Sequence, residues 1–417
     1  MIVWELPDPL RSRIDVPDPS RMKDSDALSG RDPIRLLDAD ILDWIDKLND
    51  QHLLGLGLPL RPDPTRTPQL YDLWKRMLPR DAFVAEPRFG RDATVLHRFG
   101  AADSGLQRVG GRRRWGASRN WSGGVLHARD GKLFTSVAAS WKVPAVEGFT
   151  GDTAASLPGG NRQVSVWVGL DGHRGYSRSL PQIGTRSMVT PNPDGTVTQS
   201  YHLWVQWWVR GELFGEVAVQ NFPLAKDDEI HVKLDVIGET RVRFTAINRT
   251  QGGGVGLATD WQAGETSPFL DGSMDFGPDV PLGLDLVRAP VEGRHAVFCV
   301  ERPSVLDPAA IAQIQALIAA DQIEEARLLK QAVIAGIQPY GLPAFKSVVF
   351  TEALAEMRLP DGDPATAEER DLLAARQIRL GERLQDGGRP YIQRLATPKA
   401  PCDGRPDLTV ERVGLPA

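Results

Sequence analysis

Trp167, Asp171, Gln182, Trp204, Gln206 and Trp208 lie within one tryptophan-rich stretch, Gln163 to Val209, and Glu301 lies well downstream of it. Their types could stack, hydrogen-bond and polarise a polar substrate. In an extended strand, residues two apart share a face. Trp167, Gly169 and Asp171 therefore project one way, as do His202, Trp204, Gln206 and Trp208. A face mixing tryptophan with Asp, Gln and His is a poor hydrophobic core and suits a solvated groove. The opposite face of the second segment, with Tyr201, Leu203, Val205, Trp207 and Val209, is the natural core side. Spacing alone leaves open that the tryptophans only pack.

Other chemistries find little support. The seven histidines are scattered, without His-x-x-x-His or Cys-x-x-Cys spacing, so no metal site is expected. Gly252-Gly253-Gly254-Val255-Gly256 lacks the Lys-Ser/Thr of a phosphate cradle and reads as a plain loop. There is no Gly-x-Ser-x-Gly elbow. Asp103-Ser104-Gly105 is one Asp-Ser-Gly loop where an aspartic dyad needs two. The two cysteines, Cys299 and Cys402, allow one disulfide at most. Cys299 shares strand parity with Glu301 and His295, so a thiol nucleophile has to be weighed against a small apolar filler.

The elements that would hold these residues are legible around them. Phe134 to Val143, Gln163 to Leu170, Thr196 to Val209, Glu229 to Ile237, Thr240 to Ile247 and His295 to Glu301 are rich in Val, Trp, Phe and Thr, with Gly, Pro, Asp and Asn between them. Such a series predicts an antiparallel sandwich or barrel. The β texture resumes at Ala344 to Thr351, and Gln393 to Leu395 and Leu408 to Val413 are candidate terminal strands. Asp32-Pro33 and Thr67-Pro68 are cap-and-proline helix starts, the first leading a helix over about 33–50. Asp307-Pro308 opens a further helical segment at about 307–338, with Asp321 near a break. Thr366 and Glu369 form a capping box for a helix over about 364–385. Residues 1–31 read as an extended arm, 79–119 as a linker, and the loop to Pro290 as a connector.

Length and composition set the outer bounds. A chain of 417 residues predicts two to three domains and can bury a sizeable core. We place a helical N-terminal region at 1–112 and a β-rich part with further helical segments at 113–417. A formal charge of −5 gives no reason to expect nucleic acid. No apolar run approaches the ~20 residues of a membrane span, and no signal peptide is visible at Met1 to Pro7. The expected setting is the cytoplasm or leaderless release, without membrane or cofactor, and compatible with a monomer.

Taken together the motifs resemble the glutamic peptidases, the eqolisin or G1 family. The likeness is carried by Asn120-Trp121-Ser122-Gly123-Gly124-Val125-Leu126, by Phe134 to Pro144, and by Trp167-Val168-Gly169-Leu170-Asp171-Gly172. It continues through Pro181-Gln182-Ile183-Gly184, Tyr201 to Trp207, Ala296 to Glu301 and Pro343 to Thr351, in family order. The resemblance implies an all-β core, a bent antiparallel sandwich of concanavalin or lectin-like type, with its cleft on the concave face. It implies polypeptide substrates, with Gln182 and Glu301 catalytic. Glu301 would then be the general base on water and Gln182 the oxyanion donor. Trp167, Asp171, Trp204, Gln206 and Trp208 would shape the groove. The rival expectation is a non-catalytic sandwich whose tryptophan face binds peptide or carbohydrate.

This chain departs from the family pattern in several places. The segment at 307–338 replaces a shorter connection, and His202, Gln206 and Arg186 stand where acidic residues are usual near the pair. The N-terminal region would be either a propeptide released near Arg112-Arg113-Arg114 or a permanent accessory part.

Overall fold

A computed structural model describes residues 34–35, 45–50, 53, 59–78, 83–84, 89–97, 115–173, 177–209, 213, 215–220, 222, 224–238, 241–250, 255–262, 290–386, 389–399 and 407–413. The elements that bear on the site begin with α1 (Pro68–Met77), β1 (Phe89–Asp92), β2 (Val95–Leu96), β3 (Trp121–His127), β4 (Leu133–Lys142) and β5 (Arg162–Leu170). They continue with β6 (Ser179–Pro191), β7 (Val197–Val209), β8 (Glu216–Val219), β9 (Glu229–Gly238), β10 (Arg241–Asn248), β11 (His295–Glu301) and β12 (Ser304–Val305). After them come α2 (Pro308–Ala319), α3 (Ile323–Gly336), β13 (Ser347–Arg358), β14 (Arg376–Asp386), β15 (Arg389–Lys399) and β16 (Leu408–Arg412).

Two antiparallel sheets face each other. One runs β8–β7–β6–β5–β11–β3 and continues through β14, β15 and β16. The other runs β10–β9–β4–β13, and β13 also pairs with β16, which joins the two. Alternate residues fill the space between them: Val164, Val166 and Val168 of β5, Leu203, Val205 and Trp207 of β7, and Ala296, Phe298 and Val300 of β11. Val137, Ala139 and Trp141 of β4 and Ile230, Val232 and Leu234 of β9 meet them from the other side. Each buried Val or Leu contributes ~1.5–3 kcal/mol by leaving water, which is why the period-two pattern was readable. The Trp141 indole N–H also crosses the layer to donate to the Thr185 hydroxyl at 2.9 Å.

Both outer faces are covered. On the β10–β9–β4–β13 sheet, Leu70, Leu73 and Met77 of α1 pack on Ala138, Ile247 and Leu354. On the other sheet a second apolar cluster joins Trp121, Val125, Trp167, Leu180, Trp204, Trp208, Val297 and Cys299 to Leu96 of β2, to Leu306 just before α2 and to Ile314 within it. The solvated groove expected on that face is therefore a buried layer in this structure. Position Gly184 shows how tight the layer beneath it is. A Cβ there would collide with the Val166 carbonyl oxygen and the Trp167 Cβ, neither of which can swing away. Gly184→Ala is expected to lower unfolding stability by roughly 3 kcal/mol, the upper end of overpacking costs, as read by denaturant titration.

The strand and helix expectations divide along one line. β4, β5, β7, β9, β10 and β11 fall within two residues of their predicted bounds; α1 begins at its predicted start, and α2 and α3 fill the helical segment predicted at about 307–338. Asp307 caps α2 by accepting from the Ala309 N–H, and Asp321 breaks the pair with φ at +57°. The helix expected at 33–50 is not formed: Ile34–Arg35 is a strand and Ile45–Lys47 a single 3-10 turn. The helix expected at 364–385 is also absent. Glu369, its proposed cap partner, instead accepts from the Leu70 N–H at 2.7 Å, and Gln377 and Ile378 take up the free edge of β3. Open backbone donors and acceptors at a sheet edge outweigh a local capping signal. Inside the presumed 79–119 linker, β1 pairs with β8, so strand pairing crosses residue 112. Val255–Gln262, read as connector, is a strand beside β10. The arm at 1–31, the Asp103 loop and the arginine cluster lie outside the described residues.

Candidate active site

Strand register assembles the site. β6 lies between β5 and β7, with Gln182 opposite Gly169 on one side and Gln206 on the other. β11 lies between β5 and β3, with Cys299 opposite Trp167 and Glu301 opposite Ser165 and Trp121. Gln182, Trp167, Trp204 and Gln206 thus meet Glu301 on the outer face of one sheet, as parity required.

Glu301 is fully buried. Its Oε2 accepts from the Trp167 indole N–H at 2.8 Å, and its Oε1 from the Asn120 amide at 3.2 Å. Those two donors orient the carboxylate, and the second explains why the Asn120-Trp121 motif belongs with the site. Gln182 is equally buried; its amide nitrogen donates to Gln206 Oε1 at 3.1 Å. Gln206 is therefore a positioning residue that fixes which end of the Gln182 amide is the donor. Gln182 Oε1 and the Trp204 indole N–H have no partner among the described residues. Buried polar atoms left in this way are costly, roughly 1–3 kcal/mol each, and are commonly kept for a ligand.

Sequence reasoning missed His97. Its ring stacks on Trp204 with centroids 3.7 Å apart and planes 5° apart. Nδ1 lies 3.0 Å from Glu301 Oε2, and Nε2 lies 2.7 Å from Glu216 Oε2. Burial opposes a charge on this imidazole, but the Glu301 and Glu216 carboxylates more than offset it and raise its pKa above the usual value. The His97 carbonyl in turn accepts from Gln182 Nε2 at 3.5 Å. Glu216 also pairs with Arg186, 2.9 Å away, and Arg186 with Asp92 at 2.7 Å. No local pattern marks His97, because it follows a short strand in a glycine- and arginine-rich stretch.

One expected site residue, Asp171, has another part, and Cys299 is the filler it was weighed to be. Asp171 does not line a groove. With φ at +68° it turns back so that its carboxylate accepts from the N–H groups of Glu292, Gly293 and Arg294 at 2.8–2.9 Å. It thereby pins the start of β11, the strand that carries Glu301. Burial pushes its pKa up to about 6, against the pull of those donors. Cys299 is buried beside Trp167, and burial together with the Glu301 carboxylate holds its thiol well above the ordinary value. A thiol that stays protonated is a filler and not a nucleophile.

The Asp171 shift has a signed consequence. From about pH 4 to pH 6 the unfolded chain releases this proton while the folded chain keeps it. Stability from this group is therefore fully present below pH 4 and lost as pH rises to 6, by roughly 3 kcal/mol. Asp171→Asn, which keeps an acceptor and tolerates positive φ, is expected to flatten that part of the stability–pH curve measured by denaturant titration. An unchanged slope would exclude Asp171 as its source.

The described residues form an antiparallel sandwich with a buried glutamate and glutamine on the outer face of one sheet and apolar side chains around them. Residues 119–267 match the model of the Peptidase A4 family, which is the eqolisin family the motifs resembled. Among solved structures the chain is similar to scytalido-glutamic peptidase with a transition-state analog inhibitor (16% identity, TM-score 0.41, 71% of this chain and 98% of that one). It is similar over the same shares to SCP-B, a member of the eqolisin family in complex with the tripeptide Ala-Ile-His (16%, TM-score 0.40). The aspergilloglutamic peptidase of Aspergillus niger matches at 15% identity and TM-score 0.31, over 60% of this chain and 99% of that one. No curated protein sequence matches the chain.

Proposed function

We propose that the chain is an endopeptidase in which Glu301, ionised, draws a proton from a water that attacks the scissile amide carbon. Gln182 donates its amide N–H to the oxyanion that forms, and protonated Glu301 then passes its proton to the leaving amine. Trp167, Trp204, Gln206 and Trp208 flank the bound peptide. The observation that carries this reading is that one residue reaches both groups: His97 accepts from Gln182 at its backbone carbonyl and contacts Glu301 with its ring. A simple stacking platform needs neither contact. The test is digestion of an unfolded protein across a range of pH, with Glu301→Gln as the control.

A further inference from the structure

We infer that the α2–α3 hairpin is a docking surface for the polypeptide substrate, taking up an aliphatic-rich stretch several residues away from the bond that is attacked. The inference rests on the peptidase reading above. Its own ground is the composition and seating of the hairpin. α2 carries no charged residue over its 12 positions, yet Ile314 is its only buried side chain. Ile311, Leu317 and Ile318 are half-buried. α3 is seated through Ala326 and Lys330 and leaves Leu329, Val333 and Ile334 half-buried as well. A helix as apolar as α2 is ordinarily enclosed on every side. Here its aliphatic side chains keep part of their surface in water, and covering that surface is favourable.

What the hairpin adjoins identifies its occupant. Its half-buried side chains pack on the same apolar cluster as Trp167, Trp204 and Trp208, which surround the Glu301–Gln182 pair. The hairpin also leaves the sheet just beyond Glu301 and returns to the same place. Val305 N–H donates to the Gln338 carbonyl at 2.8 Å, and Tyr340 N–H to the Pro303 carbonyl at 2.9 Å. Its two ends are thereby clasped beside the site, so a polypeptide held at Glu301 reaches the helices within a few residues. A helix of 12 residues is ~18 Å long, a distance that an extended chain covers in about five residues. Leucine, isoleucine and valine on the hairpin offer no hydrogen-bonding partner, so they favour an aliphatic stretch over a polar or charged one.

The experiment uses the full chain and two fluorogenic peptides built around one bond that is cut in the unfolded-protein digestion. The peptides are identical next to that bond and differ only in their outer flanks, Leu and Val in one and Ser and Gly in the other. The unsubstituted chain is expected to show a KM lower by about tenfold or more for the Leu/Val peptide, roughly the effect of burying one or two aliphatic side chains. Ile311→Ser, Leu329→Ser and Val333→Ser together should bring the ratio of the two KM values close to one. Equal KM values in the unsubstituted chain, or a ratio that the three substitutions leave unchanged, overturn the inference. Sedimentation showing a dimer that the substitutions dissolve, with the ratio unchanged, would make the hairpin a contact between copies and overturn it as well. If the triple variant does not fold, a short glycine–serine linker replacing residues 308–336 across the clasped ends takes its place, with the same readouts. If the chain cuts no polypeptide, the peptidase reading has failed and the hairpin is judged by binding alone. Fluorescence anisotropy of labelled Leu-Val-Leu-Val-Leu should then show about tenfold tighter binding to the unsubstituted chain than to the variant. Equal binding overturns the docking surface whatever the fate of the catalytic reading.

Discussion

Glu301→Gln is expected to lower turnover by about 10²–10⁴-fold, the usual contribution of a general base, with little change in KM and a stability loss on the order of 3 kcal/mol from the broken buried pair with His97. The substitution keeps size and shape in a fully buried position, and the amide oxygen can still accept from Trp167 or Asn120. What it removes is the capacity to take a proton from water and return it to the leaving amine. The measurement is kcat and KM on an unfolded protein or a peptide, with a denaturation curve as the folding control. Peptide cleavage at the unsubstituted rate would remove Glu301 from the chemistry and leave the sandwich without an evident base. His97 is the residue that would then have to be examined, since it bridges two carboxylates.

Gln182→Ala is the second large effect. Loss of a single oxyanion donor costs about 10²–10³-fold in kcat, or ~3–4 kcal/mol in the transition state. KM should move little, because the contact strengthens only as negative charge develops on the carbonyl oxygen. Gln206 sharpens the test. It holds the Gln182 amide nitrogen in place at 3.1 Å, so Gln206→Ala should lower kcat less than Gln182→Ala and in the same direction. A Gln182→Ala enzyme that loses affinity but keeps kcat would make the glutamine a binding group and not an oxyanion donor.

Much of this protein could be read from residue order. Two-residue alternation in β5, β7 and β11 separated the core faces, Leu203, Val205 and Trp207 on one side and Trp204, Gln206 and Trp208 on the other. That separation follows from pleat geometry, which acts locally and needs no knowledge of partners. Cap-and-proline starts at Thr67-Pro68 and Asp307-Pro308 placed α1 and α2 for the same reason. The motifs around Trp121, Trp167, Gln182 and Glu301 pointed to the peptidase class.

Tertiary structure decided what local rules cannot carry. The 364–385 segment has a good helix start, yet the open edge of β3 drew it into the sheet, because sheet-edge hydrogen bonds come from residues some 250 positions away. Asp171 looks like a groove residue by parity. Its positive φ turns it instead onto the backbone of 292–294, and only the folded chain brings that backbone within reach. His97 sits in a stretch without hydrophobic periodicity, so nothing local marks it. It becomes part of the site because β1 and β2 are captured by β8 and β12, which lie far along the chain. The sequence by itself therefore determined the class of fold, the strand faces and the Glu301–Gln182 candidates. The tertiary structure alone decided that this face is covered, and by which side chain. The physical reason is that burial and ion pairing between distant segments depend on the three-dimensional path of the chain, whereas pleat, cap and motif are written within a few consecutive residues.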